Sequence, residues 1–249
     1  MKAVISGALG AMGRVVAANA AAQDIEVIAG VDRFASDELK YPVFEGFANC
    51  DVIPDVIIDF SHPSTLPSLL EFAKKNKIPA VIATTGMAES DIEMIKEASK
   101  EIPLFFTFNM SLGVNLLCEL AKYAASVLGK GFDIEIVEKH HHRKIDAPSG
   151  TAIMLANSIT EALEYDPELV YERHSKREPR KPTEIGMHAI RGGTIVGEHD
   201  VMFCGTDEVI TLSHSAGSRA VFATGALKAA NFIAKQPAGL YDMKAMIKL

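Results

Sequence analysis

Short apolar runs alternate with amphipathic stretches along the first half of the chain. The runs are typical of buried strands, and the stretches between them repeat their apolar positions at helical spacing. Strand and helix in alternation predict an α/β architecture with a parallel sheet and right-handed crossovers. The predicted strands are 2–7, 26–32, 55–60, 79–84 and 103–108, and the predicted helices are 14–22, 64–76 and 89–100.

The pattern changes after about residue 110. Residues 132–140 alternate apolar and polar side chains, as a half-solvated strand does, and residues 151–163 have the periodicity of a helix. We predict further strands of an antiparallel or mixed sheet, a long basic loop and a last helix. These segments are, in turn, 183–205 with 208–216, 171–182, and 218–234.

A glycine-rich turn, GALGAMGR, follows the first predicted strand. Gly7 permits a tight turn, Gly10 lets a pyrophosphate approach the backbone, and Gly13 allows close packing of the next helix on the strand. Asp32 ends the second predicted strand, where an acidic residue meets the ribose hydroxyls of a bound dinucleotide. The context favours dinucleotide binding over the alternative, a turn whose glycines serve packing alone.

Three later strand ends are small or polar turns. They are DFSHP, ATTG and TFNMS, at 59–63, 83–86 and 107–111. Each alone is compatible with an ordinary connecting loop. Because ligands bind at the carboxyl ends of parallel strands, we expect all three to line the same groove.

The segment EKHHHRKIDAPSGTA, residues 138–152, concentrates polar chemistry in a short stretch. A histidine at a strand end can exchange a proton near neutral pH, and Lys144 can hold an anion or donate a proton. The Ser-Gly-Thr turn at a helix N-terminus offers amide N–H groups to a carboxylate. The segment therefore favours protonation of an anionic substrate.

Two alternatives for this segment stay open. It can be a solvated loop with a helix cap at Ser149. It can also hold a metal, since His140 and His142 would share one face of an extended segment. The further ligands would then have to come from histidines distant in the sequence, namely His174, His188, His199 and His214.

Composition narrows the class of protein. The chain has 249 residues, 48% of them hydrophobic, a net charge of -7 and a pI near 5.6, so no electrostatic feature favours nucleic acid. Cys50, Cys118 and Cys204 have no Cys-x-x-Cys spacing, which favours a reducing cytoplasm over a disulfide framework. Glycines and Arg14 interrupt the first apolar run, so we expect neither a secretory signal nor a membrane span.

Seven segments, in order over nearly the whole chain, resemble the 4-hydroxy-tetrahydrodipicolinate reductases, long called dihydrodipicolinate reductases. The histidine-rich segment is the most specific of them. They are GALGAMGR, DFSHP, ATTG, NMSLGVN, EKHHHRKIDAPSGTA, IRGGTIVGEH and SHSAGSRAVFATGAL.

The resemblance implies a Rossmann-like parallel-sheet domain for the cofactor and a second, mixed α/β domain for substrate binding and oligomerisation. The expected limits are 1–109 plus 217–249 for the first and 110–216 for the second. The family transfers a hydride from NADH or NADPH to a small cyclic dicarboxylate in lysine and diaminopimelate biosynthesis. The resemblance also implies a homotetramer.

Residue roles follow from the resemblance position by position. His140 matches the catalytic acid/base and Lys144 the catalytic proton donor. His141, Gly150 and Thr151 match substrate contacts. The cofactor groove matches Gly7, Ala8, Leu9, Gly10, Ala11, Met12, Asp32, Arg33, Ala83, Thr84, Thr85, Thr107, Phe108, Asn109 and Met110.

The chain departs from the family pattern at several of these positions. The family commonly has Gly where Ala83 stands and Ala-Pro-Asn-Phe at 107–110. Leu9 and Ala11 are uncharged where some members have a basic residue, so we expect both cofactors to work, with a modest preference for NADH. An aspartate dehydrogenase-like enzyme and a non-enzymatic redox sensor that binds the dinucleotide are the alternatives.

Overall fold

A computed structural model describes residues 1–247, which form two compact units. The first contains Met1–Leu112 and the C-terminal segment from Arg219, and the second contains Gly113–Ser218. The strands are β1 (Lys2–Ser6), β2 (Glu26–Asp32), β3 (Val43–Glu45), β4 (Val56–Asp59), β5 (Ala80–Ile82), β6 (Pro103–Phe106), β7 (Asp133–His140), β8 (Glu168–Val170), β9 (Glu184–Arg191), β10 (Gly197–Cys204), β11 (Val209–Ala216) and β12 (Gly239–Tyr241). The α-helices are α1 (Ala11–Ala20), α2 (Leu66–Asn76), α3 (Glu89–Ser99), α4 (Leu112–Leu128), α5 (Gly150–Thr160), α6 (Ala220–Ile233) and α7 (Met243–Ile247).

A seven-stranded parallel sheet forms the centre of the first unit, in the order β12-β6-β5-β4-β1-β2-β3. Apart from β12 at one edge, this is the strand order of the Rossmann fold. The order reverses between β1 and β4, so the crevice for a ligand is expected at their carboxyl ends.

Both faces of this sheet are buried, because successive side chains of each strand point to opposite sides. Ile5 and Ile58 belong to one core cluster, which also receives residues of α1 and α6. Val4 and Ile57 belong to the other, which receives residues of α2 and α3. Nearly continuous apolar strands are the sequence counterpart of this burial.

The second unit contains a five-stranded mixed sheet in the order β11-β10-β7-β9-β8. The β7–β9 and β8–β9 pairs are parallel, whereas β10 is antiparallel to both of its neighbours. Strand β7 is buried at every second residue, and helices α4 and α5 share a core cluster with that face. The α/β fold, Rossmann-like with a second mixed unit, is the predicted one.

Differences from the predicted elements are mostly at their ends. Helix α1 begins at Ala11, directly after Gly10, and so includes part of the glycine-rich turn. Helix α4, Leu112–Leu128, was missing from the sequence prediction. Its buried residues recur at helical spacing, so the periodic signal is present: they are Val114, Leu117, Cys118, Ala121 and Ala125. The three cysteines are free thiols.

Helix α6 packs so closely that a side chain larger than hydrogen does not fit at Gly225. A Cβ atom there would lie 1.7 Å from the carbonyl oxygen of Met110. Gly225→Ala should therefore lower the free energy of unfolding by roughly 3 kcal/mol or more, measured by urea denaturation. Gly131→Ala is the matched control, because a Cβ there meets nothing within 4 Å. A wild-type midpoint for Gly225→Ala would contradict this packing.

Candidate active site

The glycine-rich turn connects β1 to α1 through backbone that only glycine accommodates at two points. Gly7 has φ +78°, and a Cβ atom on it would lie 2.6 Å from the carbonyl oxygen of Phe60. A Cβ atom on Gly13 would lie 2.2 Å from the carbonyl oxygen of Gly7. Gly10 precedes the helix, and no side chain caps the first turn of α1. The helix N-terminus can therefore present its amide N–H groups to a phosphate.

Asp32 lies beside this turn at the carboxyl end of β2. One carboxylate oxygen accepts a hydrogen bond from the amide of Leu9 at 2.8 Å, and the other accepts one from the amide of Arg33, also at 2.8 Å. The carboxylate is thus held at the turn by backbone donors. Asp32 remains partly exposed and Arg33 is exposed, so both are accessible to a ligand.

Two cavities lie along the carboxyl edge of the parallel sheet. The one beside the glycine-rich turn has a volume of about 560 Å³ and is lined by Gly7, Gly10, Asp32 and Arg33, among others. The second has a volume of about 370 Å³ and shares Phe60 and Ser61 with the first. Most of its lining was predicted for the cofactor groove, from the glycine-rich turn and two of the later strand ends: Met12, Ala83, Thr84, Thr85, Thr107, Phe108, Asn109 and Met110.

The remaining residues predicted for the groove have other positions. Ala8 is fully buried, and its Cβ would lie 2.5 Å from a Cβ on Gly30, so it packs beneath the turn. Leu9 packs against the core cluster while its amide binds Asp32. Ala11 is exposed at the start of α1.

A buried carboxylate at the end of β4 organises the point at which the two cavities meet. Asp59 accepts hydrogen bonds from the hydroxyls of Ser61 and Thr84, each at 2.6 Å. Burial raises the pKa of Asp59, and these hydrogen bonds oppose that rise. The motif DFSHP contains Asp59 but does not by itself indicate a role for it. The signal in the sequence is a carboxylate at the end of an otherwise apolar strand.

In the second unit, His140 is the last residue of β7 and its side chain is buried. Its Nδ1 lies 2.6 Å from a carboxylate oxygen of Glu138, two residues earlier on the same face of the strand. Arg191, at the end of β9, donates to both oxygens of Glu138 at 2.7 Å. Glu138 is fully buried. It is therefore a buried charge with a bidentate partner.

The same carboxylate connects the strand end to the start of α5. The amide of Ser149 donates to Glu138 at 3.0 Å, and Ser149 caps the helix by accepting from the amide of Ala152 at 3.2 Å. His140 is thereby positioned near the first turn of α5, which begins with Gly150 and Thr151. The helix N-terminus predicted near Ser149 or Gly150 is confirmed at Gly150.

His199 of β10 is the third buried group in this cluster. Its Nε2 lies 2.9 Å from the hydroxyl oxygen of Ser149, and its ring meets the ring of His140 edge-on, with centroids 5.2 Å apart. Burial lowers the pKa of His199 to about 4, and the neighbouring charge of His140 adds to this effect. At neutral pH His199 is therefore an uncharged imidazole.

The loop after β7 holds the other predicted residues. The amide of Lys144 donates to the carbonyl of His141 at 3.0 Å, and its ammonium lies 2.8 Å from the carboxylate of Asp146. This hydrogen bond from Lys144 lowers the pKa of Asp146. His142 lies beyond the end of the strand and is exposed, so it does not share a buried face with His140. Among residues 1–247, no three His, Cys, Asp or Glu side chains are arranged to hold a metal ion.

Two family models together match almost the whole chain. The model described as "Dihydrodipicolinate reductase, N-terminus" matches residues 1–110, and "Dihydrodipicolinate reductase, C-terminus" matches residues 113–247. The chain belongs to the dihydrodipicolinate reductase family.

Individual dihydrodipicolinate reductases match over their full length. The chain is 54% identical to the 4-hydroxy-tetrahydrodipicolinate reductase of Caldanaerobacter subterraneus subsp. tengcongensis, over 100% of this chain and 98% of that protein. It is 45% identical to that of Clostridium novyi, over 99% and 98%. The dipicolinate-bound dihydrodipicolinate reductase of Paenisporosarcina sp. TG-14 has the same fold, with a TM-score of 0.80, 23% identity and 99% of each chain covered.

The residues of the first unit fit the nicotinamide dinucleotide that the reductase family uses. The uncapped N-terminus of α1 suits the pyrophosphate, and the oriented carboxylate of Asp32 suits a ribose. Gly10 leaves the backbone approachable, since a Cβ there would contact only the carbonyl oxygen of Gly7, at 3.1 Å. Two adjoining cavities provide room for an extended ligand.

The cations of the basic loop in the second unit form ion pairs within that unit. The basic loop predicted at 171–182 pairs with carboxylates: Arg173 with Glu184, and both Lys176 and Lys181 with Glu168. Arg180 pairs with Asp133 and Glu135.

In the described part of the chain, no helix has the length and apolar character needed to cross a membrane.

The buried imidazole of His199 predicts a pH-dependent stability. Between pH 6.5 and about 4 the unfolded chain binds a proton at this residue that the folded chain does not bind. The contribution of His199 is therefore complete above pH 6.5 and is lost as the pH falls towards 4. The expected loss is about 3 kcal/mol, measured by urea denaturation at a series of pH values.

His199→Asn should make the free energy of unfolding less dependent on pH over this range. Ile159→Val is the control, because it removes buried volume from the core cluster of the second unit and leaves the imidazole in place. The control should be less stable at every pH and keep the wild-type slope. An unchanged slope in His199→Asn would mean that another group is responsible.

Proposed function

We propose that this protein reduces 4-hydroxy-tetrahydrodipicolinate to tetrahydrodipicolinate with NADH or NADPH, as a 4-hydroxy-tetrahydrodipicolinate reductase of lysine and diaminopimelate biosynthesis. The substrate loses its hydroxyl group as water and gains one hydride and one proton, and the nicotinamide is oxidised. The protein is thus an NAD(P)H-dependent oxidoreductase. Its substrate belongs to the small cyclic dicarboxylates, the class of the dipicolinate bound to the Paenisporosarcina enzyme.

The observation that supports this reaction most directly is the Glu138–His140 pair at the N-terminus of α5. It joins a group that can exchange a proton to a group that can bind an anion. A redox sensor that only bound a dinucleotide would use neither. A reductase acting on a dicarboxylate uses both.

His140 and Lys144 are the proposed catalytic residues. His140 acts as acid/base, and Lys144 donates the proton that the reduced substrate gains. The ammonium of Lys144 is held by Asp146 at 2.8 Å and keeps part of its surface exposed, so it can be reached by substrate. Gly150 and Thr151 bind a substrate carboxylate through the first turn of α5, and His141 is a further substrate contact.

The first unit is the proposed cofactor domain. The first turn of α1 and Gly7–Met12 hold the pyrophosphate, and Asp32 with Arg33 holds the adenosine ribose. The second cavity, lined by Ala83–Thr85 and Thr107–Met110, receives the nicotinamide. The bound nicotinamide supplies the hydride. The protein's part is to bind it, exclude water around it and provide the proton.

The oligomeric state and the cellular location of the protein are further parts of the proposed function. We expect a homotetramer in the cytoplasm, in keeping with the family. Two strands of the second unit expose apolar side chains, with Val209 56% and Ile190 48% accessible. Such side chains on sheet strands suit contact with another copy of the chain.

The function is tested by following nicotinamide absorbance with the condensation product of pyruvate and aspartate semialdehyde. Substrate-dependent oxidation is expected. His140→Ala and Lys144→Ala should each lower kcat by ~10²- to 10⁴-fold, because each removes a positioned proton-transfer group. Cofactor affinity, measured by fluorescence titration, should be unchanged in both variants.

His174→Ala is the control for these variants, because it removes an exposed histidine from the 171–182 loop. It should retain wild-type kcat. Folded protein that binds the cofactor and never oxidises it would exclude the reductase and favour the sensor. Oxidation with another amino-acid precursor alone would favour an aspartate dehydrogenase-like enzyme.

Cofactor choice depends on Asp32 and Arg33. The carboxylate of Asp32 accepts hydrogen bonds from the ribose hydroxyls of NADH and repels the 2'-phosphate of NADPH, whereas Arg33 can pair with that phosphate. We expect both cofactors to work, with NADH modestly favoured. Asp32→Ser should shift the ratio of kcat/KM values towards NADPH, and Arg33→Ala should impair NADPH use more than NADH use. A wild-type preference for NADPH above ~10-fold, or ~1.4 kcal/mol, would contradict this assignment.

A further inference from the structure

The carboxylate of Glu138 contacts His140, one of the two proposed catalytic residues. It is fully buried on the face of β7 that also carries His140. Residues two apart on a strand project on the same side, which places the two side chains together. The separation of 2.6 Å between Glu138 Oε2 and His140 Nδ1 is that of a charge-assisted hydrogen bond.

Glu138 is an anion in the folded protein. Burial alone would raise its pKa, but hydrogen bonds from Arg191 and His140 outweigh burial and hold the pKa below its usual value. A carboxylate is an acceptor only, so the contact with His140 requires a proton on Nδ1. In the neutral imidazole Nε2 then lacks a proton, and in the cation Nε2 carries the second one. Either way, proton exchange takes place at Nε2.

Gly197, on the neighbouring strand β10, lies beside Nε2 of His140. A Cβ atom on Gly197, at the start of β10, would lie 3.0 Å from Nε2, which is tighter than an ordinary contact. A larger residue at this position would therefore press on the imidazole at Nε2. The edge-on ring of His199 and the hydrogen bond to Glu138 restrain the imidazole from two other directions.

We propose that Glu138 is a positioning residue that fixes the tautomer of His140, with Nδ1 protonated and Nε2 left for proton exchange, and that Gly197 provides the space at Nε2. Arg191 keeps Glu138 in place through two hydrogen bonds. This inference rests on the proposed function, in which His140 is the acid/base. It assigns a separate role to each nitrogen of the His140 ring: Nδ1 binds Glu138, and Nε2 exchanges the proton.

The first test needs no turnover. Protein labelled in the histidine ring nitrogens should give NMR signals for His140 in which Nδ1 is protonated in the neutral form, assigned by their loss in His140→Asn. Glu138→Gln should change this pattern, because an amide can donate as well as accept. Wild-type His140 protonated on Nε2 instead would overturn the proposal.

The second test is kinetic. Glu138→Gln should lower kcat by ~10²-fold or more while KM for both substrates and cofactor affinity change little, because only the proton-transfer group is misoriented. Gly197→Ala should also lower kcat, but with the wild-type tautomer, since it blocks Nε2 and leaves Glu138 untouched. Wild-type kcat in both variants would overturn the proposal.

Glu135→Gln is the matched control. Glu135 lies on the same strand, and its carboxylate binds His188 Nε2 at 2.8 Å and pairs with Arg180, so the substitution breaks a similar Glu–His–Arg contact on the opposite face. It should leave kcat and the His140 signals unchanged. A decrease in kcat as large as that of Glu138→Gln would reduce the effect to general disruption of β7 and contradict the proposal.

Turnover and the NMR pattern of His140 distinguish the proposed function from the proposed role of Glu138. If wild-type protein does not oxidise the nicotinamide, the proposed function is wrong, and the NMR pattern still decides the tautomer. If it turns over and His140 has the opposite tautomer, only the role of Glu138 is wrong. If Glu138→Gln does not fold, the wild-type spectrum and Gly197→Ala decide.

Discussion

Burial of a parallel sheet on both faces is the constraint on which the first unit depends. The side chains of Ala3, Val4 and Ile5 in β1 and of Val56, Ile57 and Ile58 in β4 enter one core or the other, so the middle of these strands is not available to a ligand on either face. Chemistry is confined to the carboxyl ends of the strands, where the chain turns back. This explains why the glycine-rich turn, Asp32, Asp59 and both cavities occur along one edge.

The candidate site of the second unit depends on a different constraint, because it contains a fully buried carboxylate, that of Glu138. Glu138 is surrounded by donors from three separate segments: Arg191 from β9, the amide of Ser149 before α5, and His140 on its own strand. Removing any one of them would leave a buried carboxylate with fewer partners, which is strongly unfavourable. The same contacts that make the charge tolerable bring His140 to the helix N-terminus.

Much of this arrangement could be predicted from the sequence, because its signals are local. The strand–glycine–helix pattern at 2–22 and the apolar runs specify the Rossmann-like sheet, and the histidine segment indicates acid–base chemistry. The partners of these residues could not be predicted in the same way. Arg191 and His199 reach the segment only through strand pairing with β7, and nothing in their own spacing connects them to it. Helix α4 is the opposite case, because its buried positions recur at helical spacing in the sequence although it is not among the predicted elements.

The position of α6 has a consequence for the order of events during synthesis on the ribosome. Helix α6 supplies Ala223, Ala226, Leu227, Ala230 and Ile233 to a core cluster built largely from the first hundred or so residues of the chain, and Gly225 allows it to lie against Met110. The second unit is a continuous segment that ends at Ser218, so its whole sequence is available while one face of the parallel sheet has α1 but still lacks α6. The nascent first unit therefore keeps part of its apolar surface exposed until α6 has been synthesised. Until α6 has been synthesised and has packed, the exposed apolar surface makes the nascent chain prone to aggregation.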